Sequence, residues 1–560
     1  MLDVLSRSQR GRICEYRKGE ECLRTPAVLK GEGGCRIVTG EDGRVLNMFG
    51  SEIALDPKIL TTSSSGVKCQ TMSKDGIAVL RLPVSGDEVV PDDAEVVVIP
   101  NAFELRSSFR VMVDQVMKAR KAAGFGRLLV MLGIADPSNL ALLAYMGVDV
   151  VDDGFARAAG ISGYSLIPEG RLFAGKDCSE ENVAEMDREI DKIRTFINAG
   201  RLRELADQRS FSSADLVAAL RVFDAEGYEY QEECCSVTGC RFSCNTAQSL
   251  RRPDVQRYQR VLGERYVPPE HKRILLLLPC SAKKPYHISK THKLFTMAIH
   301  TGPHDTLVHE VIVTSPLGIV PRELDAFYPA NSYDIPVTGE WKPEEKETIR
   351  RMLRELMDKH HYEKVVCHLG EDAELVRDLF PDMVETVVGD SVSPKSLENL
   401  DKALKDAAAG MQAVKWDDDR KEAVRSALSF QFGKDVADAL LEGDTVAMGK
   451  YPYWKIFRKV NGKNVQLGMM SAERSMFSLT PEGGEVLMRL GRNTVEITDF
   501  EIKGSLFAVG VVKADHRIRI GDEIVAVCNG VVKGVGVAAM CGEEMEQMKR
   551  GVAVKMRRYH

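Results

Sequence analysis

Chemical reactivity is concentrated in one short segment, PCSAKKPYHISKTH, at residues 279–292. Cys280 follows an apolar run, and two lysines, Lys283 and Lys284, follow Cys280. Positive charge beside a thiol favours the thiolate, and the start of a following helix would act in the same direction. The thiolate is the form of cysteine that attacks electrophilic carbon. The segment therefore predicts an activated nucleophile at Cys280; the alternative is a strand-end cysteine beside two solvated lysines.

Three further polar side chains of the segment can take part in proton transfer. Tyr286 and Ser289 carry hydroxyl groups, and His292 carries an imidazole. We expect them to supply hydrogen bonds or protons to a reacting group, with His292 as the acid or base. The predicted catalytic set is Cys280, Lys284, Tyr286, Ser289 and His292.

A buried strand must present Cys280 to its substrate. The apolar run ILLLL at residues 274–278 predicts a strand of a parallel sheet, and such strands deliver site residues at their carboxyl ends. Strands at 308–314 and 364–368 and helices near His292 and at 343–359 alternate after it. This alternation predicts a doubly wound α/β domain. We place it at residues 269–427, because the pair Pro268 and Pro269 interrupts regular structure.

Three other domains are expected. The first is a domain at residues 1–268, in which strands and helices alternate up to about residue 200; this alternation indicates a further α/β layer or barrel. After about residue 428 short strands dominate, with hairpin-turn signals at Asn461 and Gly462 and at Asn529 and Gly530. We predict a small α+β domain at residues 428–491 and a β-barrel at residues 492–560.

A cluster of four cysteines precedes the α/β domain. Thiolates this close together can hold zinc tetrahedrally, although their spacing is not a pair of Cys-x-x-Cys motifs. His271 is an alternative ligand further along the chain. The cluster is expected either to bind zinc or to be a loop of free thiols. Its members are Cys234, Cys235, Cys240 and Cys244.

The carboxyl-terminal segment combines a Gly521-Asp522-Glu523 turn, a hairpin, a short helix and a basic last strand. In this order the features resemble the PUA domain, a small β-barrel that binds structured RNA. A dense set of cations at its end can neutralise several phosphates. The predicted RNA-binding residues are Lys549, Arg550, Lys555, Arg557 and Arg558.

Composition limits the class of protein. The chain has 560 residues, 44% of them hydrophobic and 28% charged, which is typical of a soluble multidomain protein and excludes a mainly disordered or fibrous chain. No apolar run approaches the roughly 20 residues of a membrane span, and the amino terminus lacks the apolar core of a signal peptide. We therefore expect a cytoplasmic protein whose 13 cysteines are free thiols, ligands or nucleophiles. The net charge of -6 leaves room for a local basic patch.

The motif segment also matches a known family residue for residue. The pattern Pro-Cys-x3-Lys-Pro-Tyr-x2-Ser-x2-His is typical of archaeosine synthases, archaeal relatives of tRNA-guanine transglycosylases, and the chain resembles them along its whole length. The segment at residues 315–341 is similar to the same family. The matching residues are Pro279, Cys280, Lys284, Pro285, Tyr286, Ser289 and His292.

The resemblance implies an enzyme that modifies 7-cyano-7-deazaguanine at position 15 of archaeal tRNA. An amine, with lysine as the expected donor, adds to the nitrile and gives an amidine, after a covalent thioimidate at Cys280. The resemblance also implies a radical S-adenosylmethionine partner enzyme that cleaves the adduct to archaeosine. Glutamine or ammonia as donor, and a homodimer, stay open. No nucleotide cofactor is recognised.

Two other functions stay open. One is a noncatalytic tRNA-binding subunit, and the other is an active base-exchange transglycosylase. The segment GVDVVDD resembles the one that carries the nucleophilic aspartate of the transglycosylases, which would be Asp152. The Asp-Ser-Gly-Gly-Phe-Gln motif for base recognition is not in the sequence. The amino-terminal domain is therefore expected to be a degenerate β/α barrel with Asp152 as a structural relic.

Overall fold

The structure is a computed structural model that describes residues 2–40, 43–55, 62–63, 66–67, 72–239, 241–337 and 339–559. Within these ranges, no helix combines the length and the apolar character that crossing a bilayer requires. Cys240 of the cysteine cluster lies outside them.

The amino-terminal part contains a six-stranded sheet, two three-stranded antiparallel sheets and eight described helices. Its strands are β1 (Leu2–Ser8), β2 (Gly11–Lys18), β3 (Glu21–Arg24), β4 (Ala27–Leu29), β5 (Arg36–Gly40), β6 (Gly43–Met48), β7 (Ser51–Ala54), β8 (Thr62–Ser63), β9 (Gly66–Val67), β10 (Met72–Lys74), β11 (Ile77–Val79), β12 (Val96–Ile99), β13 (Leu128–Met131), β14 (Val150–Asp152), β15 (Tyr164–Ile167), β16 (Gly170–Phe173) and β17 (Phe242–Ser243). Its helices are α1 (Phe109–Ala123), α2 (Leu140–Tyr145), α3 (Gly154–Ile161), α4 (Ser179–Asn198), α5 (Leu202–Ser210), α6 (Ala214–Glu226), α7 (Tyr228–Glu233) and α8 (Pro253–Glu264).

The six-stranded sheet is buried on both faces. Because side chains alternate along a strand, Val97 and Ile99 pack into one core with α1, while Val96 and Val98 pack into another core. The strand order is β10-β11-β12-β13-β14-β4, and the five strands from β11 to β4 are parallel. Among the described residues β10 and β4 are the two edges of this sheet, so it is open. The expected β/α barrel is not confirmed.

The α/β domain is built on a five-stranded sheet of order β20-β19-β18-β22-β23, in which β20 alone is antiparallel to its neighbour. The apolar strand β18 is buried and pairs in parallel with β19 and β22, as a strand of a parallel sheet should, and β19 and α10 have the predicted bounds. The strands are β18 (Ile274–Pro279), β19 (Val308–Thr314), β20 (Gly318–Pro321), β21 (Tyr333–Asp334), β22 (Lys364–Cys367) and β23 (Val384–Glu385). The helices are α9 (Lys290–Ile299), α10 (Pro343–Lys359) and α11 (Pro394–Ala407).

The last two domains are mainly sheet. The small α+β domain contains α12 (Trp416–Phe432), α13 (Lys434–Leu440), β24 (Thr445–Met448), β25 (Lys455–Val460), β26 (Lys463–Ser471), β27 (Met476–Leu479) and α14 (Pro481–Leu490). The terminal domain contains β28 (Thr494–Ile497), β29 (Ser505–Phe507), β30 (Val511–Ala514), β31 (Glu523–Cys528), β32 (Val531–Ala538), α15 (Gly542–Gln547) and β33 (Val552–Tyr559). Asn461 and Asn529 have φ values of 50° and 52°, as the predicted hairpin turns require.

The main hydrophobic core continues across the predicted domain boundaries. Val255 and Tyr258 of α8 belong to the core of the α/β domain, although α8 precedes Pro268. The same core continues through the small α+β domain to Val525 and Val535 of the terminal domain. The α/β domain and the two domains after it therefore pack as one unit.

Candidate active site

Cys280 lies at the carboxyl end of the central strand, where site residues of parallel sheets are found. Pro279 is the last residue of β18, and its partner on β19 is Val313. The next residue of β19, Thr314, places its hydroxyl within hydrogen-bonding reach of the half-buried Cys280 sulfur. The strand register therefore brings a hydroxyl to the predicted nucleophile.

Two tyrosines extend this hydroxyl group into a network. Thr314 Oγ1 lies 2.5 Å from the Tyr333 hydroxyl and 3.1 Å from the Tyr286 hydroxyl. The two tyrosine hydroxyls also hydrogen-bond to each other, and both rings are fully buried. Tyr286 was predicted from the motif, whereas Thr314 and Tyr333 were missed. One signal in the sequence could have found Tyr333, because it lies in the segment 315–341, which resembles the same family as the motif.

The electrostatics of Cys280 differ from the sequence expectation. Burial raises the pKa of the Cys280 thiol above its ordinary value of 9.0, and the opposing effects of Lys284 and the Thr314 hydroxyl are smaller. Burial also lowers the pKa of Lys284, whose Nζ lies 4.1 Å above the centre of the Tyr333 ring. Lys283 is exposed. The arrangement favours a neutral thiol over a resting thiolate.

His292 is fully buried beside the motif tyrosine, with its ring centre 5.2 Å from that of Tyr286. Arg322 Nη2 donates to His292 Nδ1 at 2.9 Å, so the ring proton belongs on Nε2, which is buried and has no hydrogen-bond partner among the described residues. Burial, with the nearby charge of Arg322, lowers the pKa of His292 to about 3. His292 is therefore neutral near pH 7. This geometry suits a positioning role, and its action as acid or base stays a prediction.

Ser289 caps the helix that carries His292. Its hydroxyl accepts a hydrogen bond from the His292 backbone N–H at 3.1 Å, at the start of α9. Ser289 is also nearly fully buried. The contact satisfies one of the free donors of the first helical turn. Ser289 thus holds the backbone of the motif, and its predicted part in catalysis stays a prediction.

A buried charge network supports the motif from the side of β19 and the small α+β domain. Arg322 contacts Glu310 at 2.7 Å and Asp325 at 3.3 Å. Asp325 accepts hydrogen bonds from His287 Nδ1 at 2.9 Å and from the His287 backbone N–H at 2.7 Å. The Tyr451 hydroxyl, from the small domain, also donates to Asp325. Because buried charges need partners, this network holds the motif and the small domain together.

The predicted RNA-binding residues do not all lie on the surface. Arg557 donates to Glu523, a fully buried carboxylate that also binds Arg474 of the small domain at 2.7 Å. Its Nη2 further donates to the Leu479 carbonyl at 3.1 Å. Arg557 is therefore held in an internal contact between domains, and its assignment to RNA stays a prediction. Lys549, Arg550, Lys555 and Arg558 are exposed, as expected.

The cysteine cluster does not converge on one point in the described part of the chain. Cys234 lies within hydrogen-bonding reach of Cys541, Cys235 donates to the Ser236 carbonyl at 3.8 Å, and Cys244 donates to the Ser249 carbonyl at 3.7 Å. His271, the alternative ligand, binds Asp419 at 2.8 Å. No group of three potential ligands that could hold a metal occurs among the described residues. Metal binding is thus not supported, because the thiols point to different neighbours; Cys240 lies outside the described residues.

Asp152 is at the end of β14 in the amino-terminal sheet. One carboxylate oxygen accepts a hydrogen bond from the Gly133 N–H at 2.5 Å, and burial raises the pKa of the carboxyl group. The contact ties the ends of two neighbouring strands together. This is the structural role expected for a relic of a transglycosylase site, which stays a prediction.

Three family models match the chain. A domain of unknown function (DUF5591) matches residues 255–404, the patch-forming domain C2 of tRNA-guanine transglycosylase matches residues 422–491, and the PUA domain matches residues 495–560. The first of these contains Cys280 and every predicted catalytic residue. The PUA match confirms the resemblance inferred from the terminal segment.

Similar proteins cover most of the chain. Archaeosine synthase subunit alpha of Thermoplasma acidophilum is 34% identical over 84% of this chain and 89% of its own length. Archaeosine synthase of Haloferax volcanii is 31% identical over 85% of this chain and 84% of its own length. The tRNA-guanine(15) transglycosylase of Methanobrevibacter smithii is 24% identical over 84% of this chain and 73% of its own length. Among solved structures, AF0587, a protein of unknown function, is 28% identical over 54% of this chain and 98% of its own, with a TM-score of 0.41. The identities above 30% over most of both chains show that this protein belongs to the archaeosine synthase family.

Proposed function

We propose that this protein modifies tRNA in archaeosine biosynthesis by adding an amine to the nitrile of 7-cyano-7-deazaguanine at position 15. The observation that carries the proposal is the position of Cys280 at the end of β18, beside the Thr314 hydroxyl and the Lys284 amine. Membership of the archaeosine synthase family supports the substrate class. The exposed cations of the PUA domain support RNA as the partner.

In the first step the Cys280 thiol adds to the nitrile. The sulfur forms a bond to the nitrile carbon, one carbon–nitrogen π bond breaks, and the thiol proton moves to the nitrogen. Lys284 suits the transfer of this proton, because burial lowers the pKa of its ammonium group and so increases the fraction of free amine. The product is a covalent thioimidate.

In the second step the amine donor attacks the thioimidate carbon. The carbon–sulfur bond breaks, Cys280 regains its proton, and the base carries an amidine. The sum of both steps is the addition of one amine N–H across the nitrile, which needs neither an oxidant nor a reductant. Lysine is the proposed donor, and a radical S-adenosylmethionine enzyme is the proposed partner that cleaves the lysine adduct to archaeosine.

The experiment traps the first step. The full-length protein is incubated with tRNA that carries the nitrile base, without amine, and intact-mass spectrometry measures the protein–RNA adduct. We expect an adduct that maps to Cys280 and disappears when lysine is added. Cys280→Ala should abolish the adduct and lysine transfer while tRNA binding persists. Cys22→Ala is the matched control, because Cys22 is an exposed cysteine outside the site.

Two results would contradict this mechanism. Full lysine transfer by Cys280→Ala would favour direct attack of the amine on the nitrile, without covalent catalysis. Absence of any transfer by the unaltered protein, with intact tRNA binding, would favour a noncatalytic tRNA-binding subunit.

A further inference from the structure

Two stretches of the chain contain no acidic residue. One spans residues 271–304 and includes the whole catalytic motif; the other spans residues 445–472 in the small α+β domain. The full chain has 82 Asp and Glu among 560 residues, so stretches of this length without one are unusual for it. Both carry several lysines. The two stretches can form one binding surface only if they lie together in the fold.

Tyr451 joins the two stretches. Its ring centre lies 5.1 Å from that of His287, in an edge-on arrangement, and its hydroxyl donates to Asp325, the carboxylate that binds His287. The Tyr451 hydroxyl also accepts the Ala326 N–H at 3.0 Å. The segment at residues 449–453, which we name the Tyr451 loop, is thus anchored beside the catalytic motif.

The Tyr451 loop has a defined shape and presents an exposed aromatic ring. The Tyr453 N–H donates to the Lys450 carbonyl at 2.7 Å. Gly449 has a φ of 98°, and a Cβ there would lie 2.5 Å from the Tyr453 carbonyl oxygen, so the close approach requires glycine. Tyr453 is 63% exposed although Tyr451 and Trp454 on either side pack inward.

The exposed side chains of the two stretches near this contact combine positive charge with aromatic and aliphatic groups, and an ion pair of Arg420 with the exposed Asp417 borders the Tyr451 loop at the Gly449 carbonyl. We name the exposed side chains of the two stretches the motif-side surface. They are Lys283, Ile288, Lys290 and Lys293 of the motif stretch and Lys450, Tyr453 and Lys455 of the small domain.

We propose that the motif-side surface binds the RNA strand next to the modified nucleotide, with Tyr453 stacking on a base and Lys450 and Lys455 contacting phosphates. The inference deepens the proposed function and rests on RNA as its substrate. Lysines without neighbouring carboxylates in sequence complement a phosphate backbone, and an exposed tyrosine is the platform on which unpaired bases stack. The surface is distinct from the cationic end of the PUA domain, so the RNA has two separate contacts.

The test measures the affinity of the full-length protein for an unmodified tRNA transcript by fluorescence anisotropy at several salt concentrations. Lys450→Gln with Lys455→Gln should weaken binding and reduce the slope of log K against log salt by about 0.7 to 0.9 for each lost contact. Tyr453→Ala should weaken binding roughly 5- to 140-fold, the range for one base stack, and Tyr453→Phe should keep most of the affinity. Lys395→Gln with Lys402→Gln on α11 is the control of equal charge change.

Unchanged affinity and slope in both motif-side variants would overturn the proposal. So would variants that alter only the sedimentation of the protein alone, since the surface would then join two copies of the chain. The transcript has no nitrile, so binding is measured without chemistry. A failure of adduct formation at Cys280 would contradict the proposed reaction and leave this surface standing, and the two failures are therefore distinguishable.

Discussion

The ionisation of Cys280 can be measured by its rate of alkylation with iodoacetamide between pH 6 and pH 10.5. Only the thiolate reacts, so the rate follows the thiolate fraction. Burial raises the pKa of Cys280 above 9.0. A thiol of that pKa is less than about 1% ionised at pH 7 and less than about 10% at pH 8, because each pKa unit changes the fraction tenfold. We expect the rate to rise throughout this range, with a midpoint above pH 9.

Lys284 provides the matched pair of variants. Its positive charge opposes the effect of burial on Cys280. Lys284→Gln should therefore move the midpoint to still higher pH, whereas Lys284→Arg keeps the charge and should move it less. Cys280→Ala gives the background from other cysteines. A midpoint below pH 8 in the unaltered protein would refute the reasoning, because it would show a resting thiolate of the kind that the sequence alone predicts.

Three further predictions follow from the site and the domain contacts. Thr314→Val should lower the single-turnover rate of amine transfer about 5- to 100-fold at unchanged tRNA affinity, because it removes a hydroxyl from Cys280 and from two buried tyrosines; an unchanged rate would exclude this network from catalysis. Arg322→Met should destabilise the α/β domain by about 3 to 5 kcal/mol, because it removes the cation that two buried carboxylates share; hydrogen exchange of β18 and β19 measures this loss, and equal protection would contradict it. Arg557→Gln should lower thermal stability and leave the salt dependence of tRNA binding unchanged, whereas Lys555→Gln should leave thermal stability unchanged and reduce that salt dependence; a reduced salt slope for Arg557→Gln would support its assignment to RNA.

Local patterns in the sequence predicted the elements that carry the motif. The run ILLLL gives β18 because a continuous apolar stretch bounded by polar residues suits a strand buried on both faces. The segment 343–359 gives α10 because its apolar residues recur at helical spacing and Pro343 suits the first turn. Both signals lie within the element itself, so no tertiary information was needed.

The surroundings of Cys280 could not be predicted in the same way. Thr314 lies beside the motif because β19 pairs with β18, and Tyr333 lies there because the chain folds back toward the motif. Their spacing from Cys280 in the sequence indicates neither contact. The direction of the Cys280 pKa depends on desolvation, which a sequence does not display, whereas the neighbouring lysines are visible at once. The sequence therefore overstated the effect of charge and understated that of burial.

Arg557 shows the same limit at the surface. The strand β33 has an irregular register where it pairs with β32, between Val535 and Gly536, so simple alternation does not tell which of its cations face inward. Arg557 turns toward Glu523, while Lys555 and Arg558 stay exposed. A run of basic residues marks a cationic strand, but only the register assigns each cation to solvent or to the interior.

The continuous hydrophobic core from the α/β domain to the PUA domain has a consequence for how a nucleotide would be chosen. Val525 and Val535 of the PUA domain share this core with β18, the strand that ends at Cys280. The shared core keeps the RNA-binding domain and the reactive sulfur of Cys280 at a set distance from each other. A set distance selects the target nucleotide by how far it lies along the folded RNA from the anchored end. The identity of the flanking bases then has little influence. A flexible hinge between the two domains would let this distance vary, and the distance could then no longer select the nucleotide.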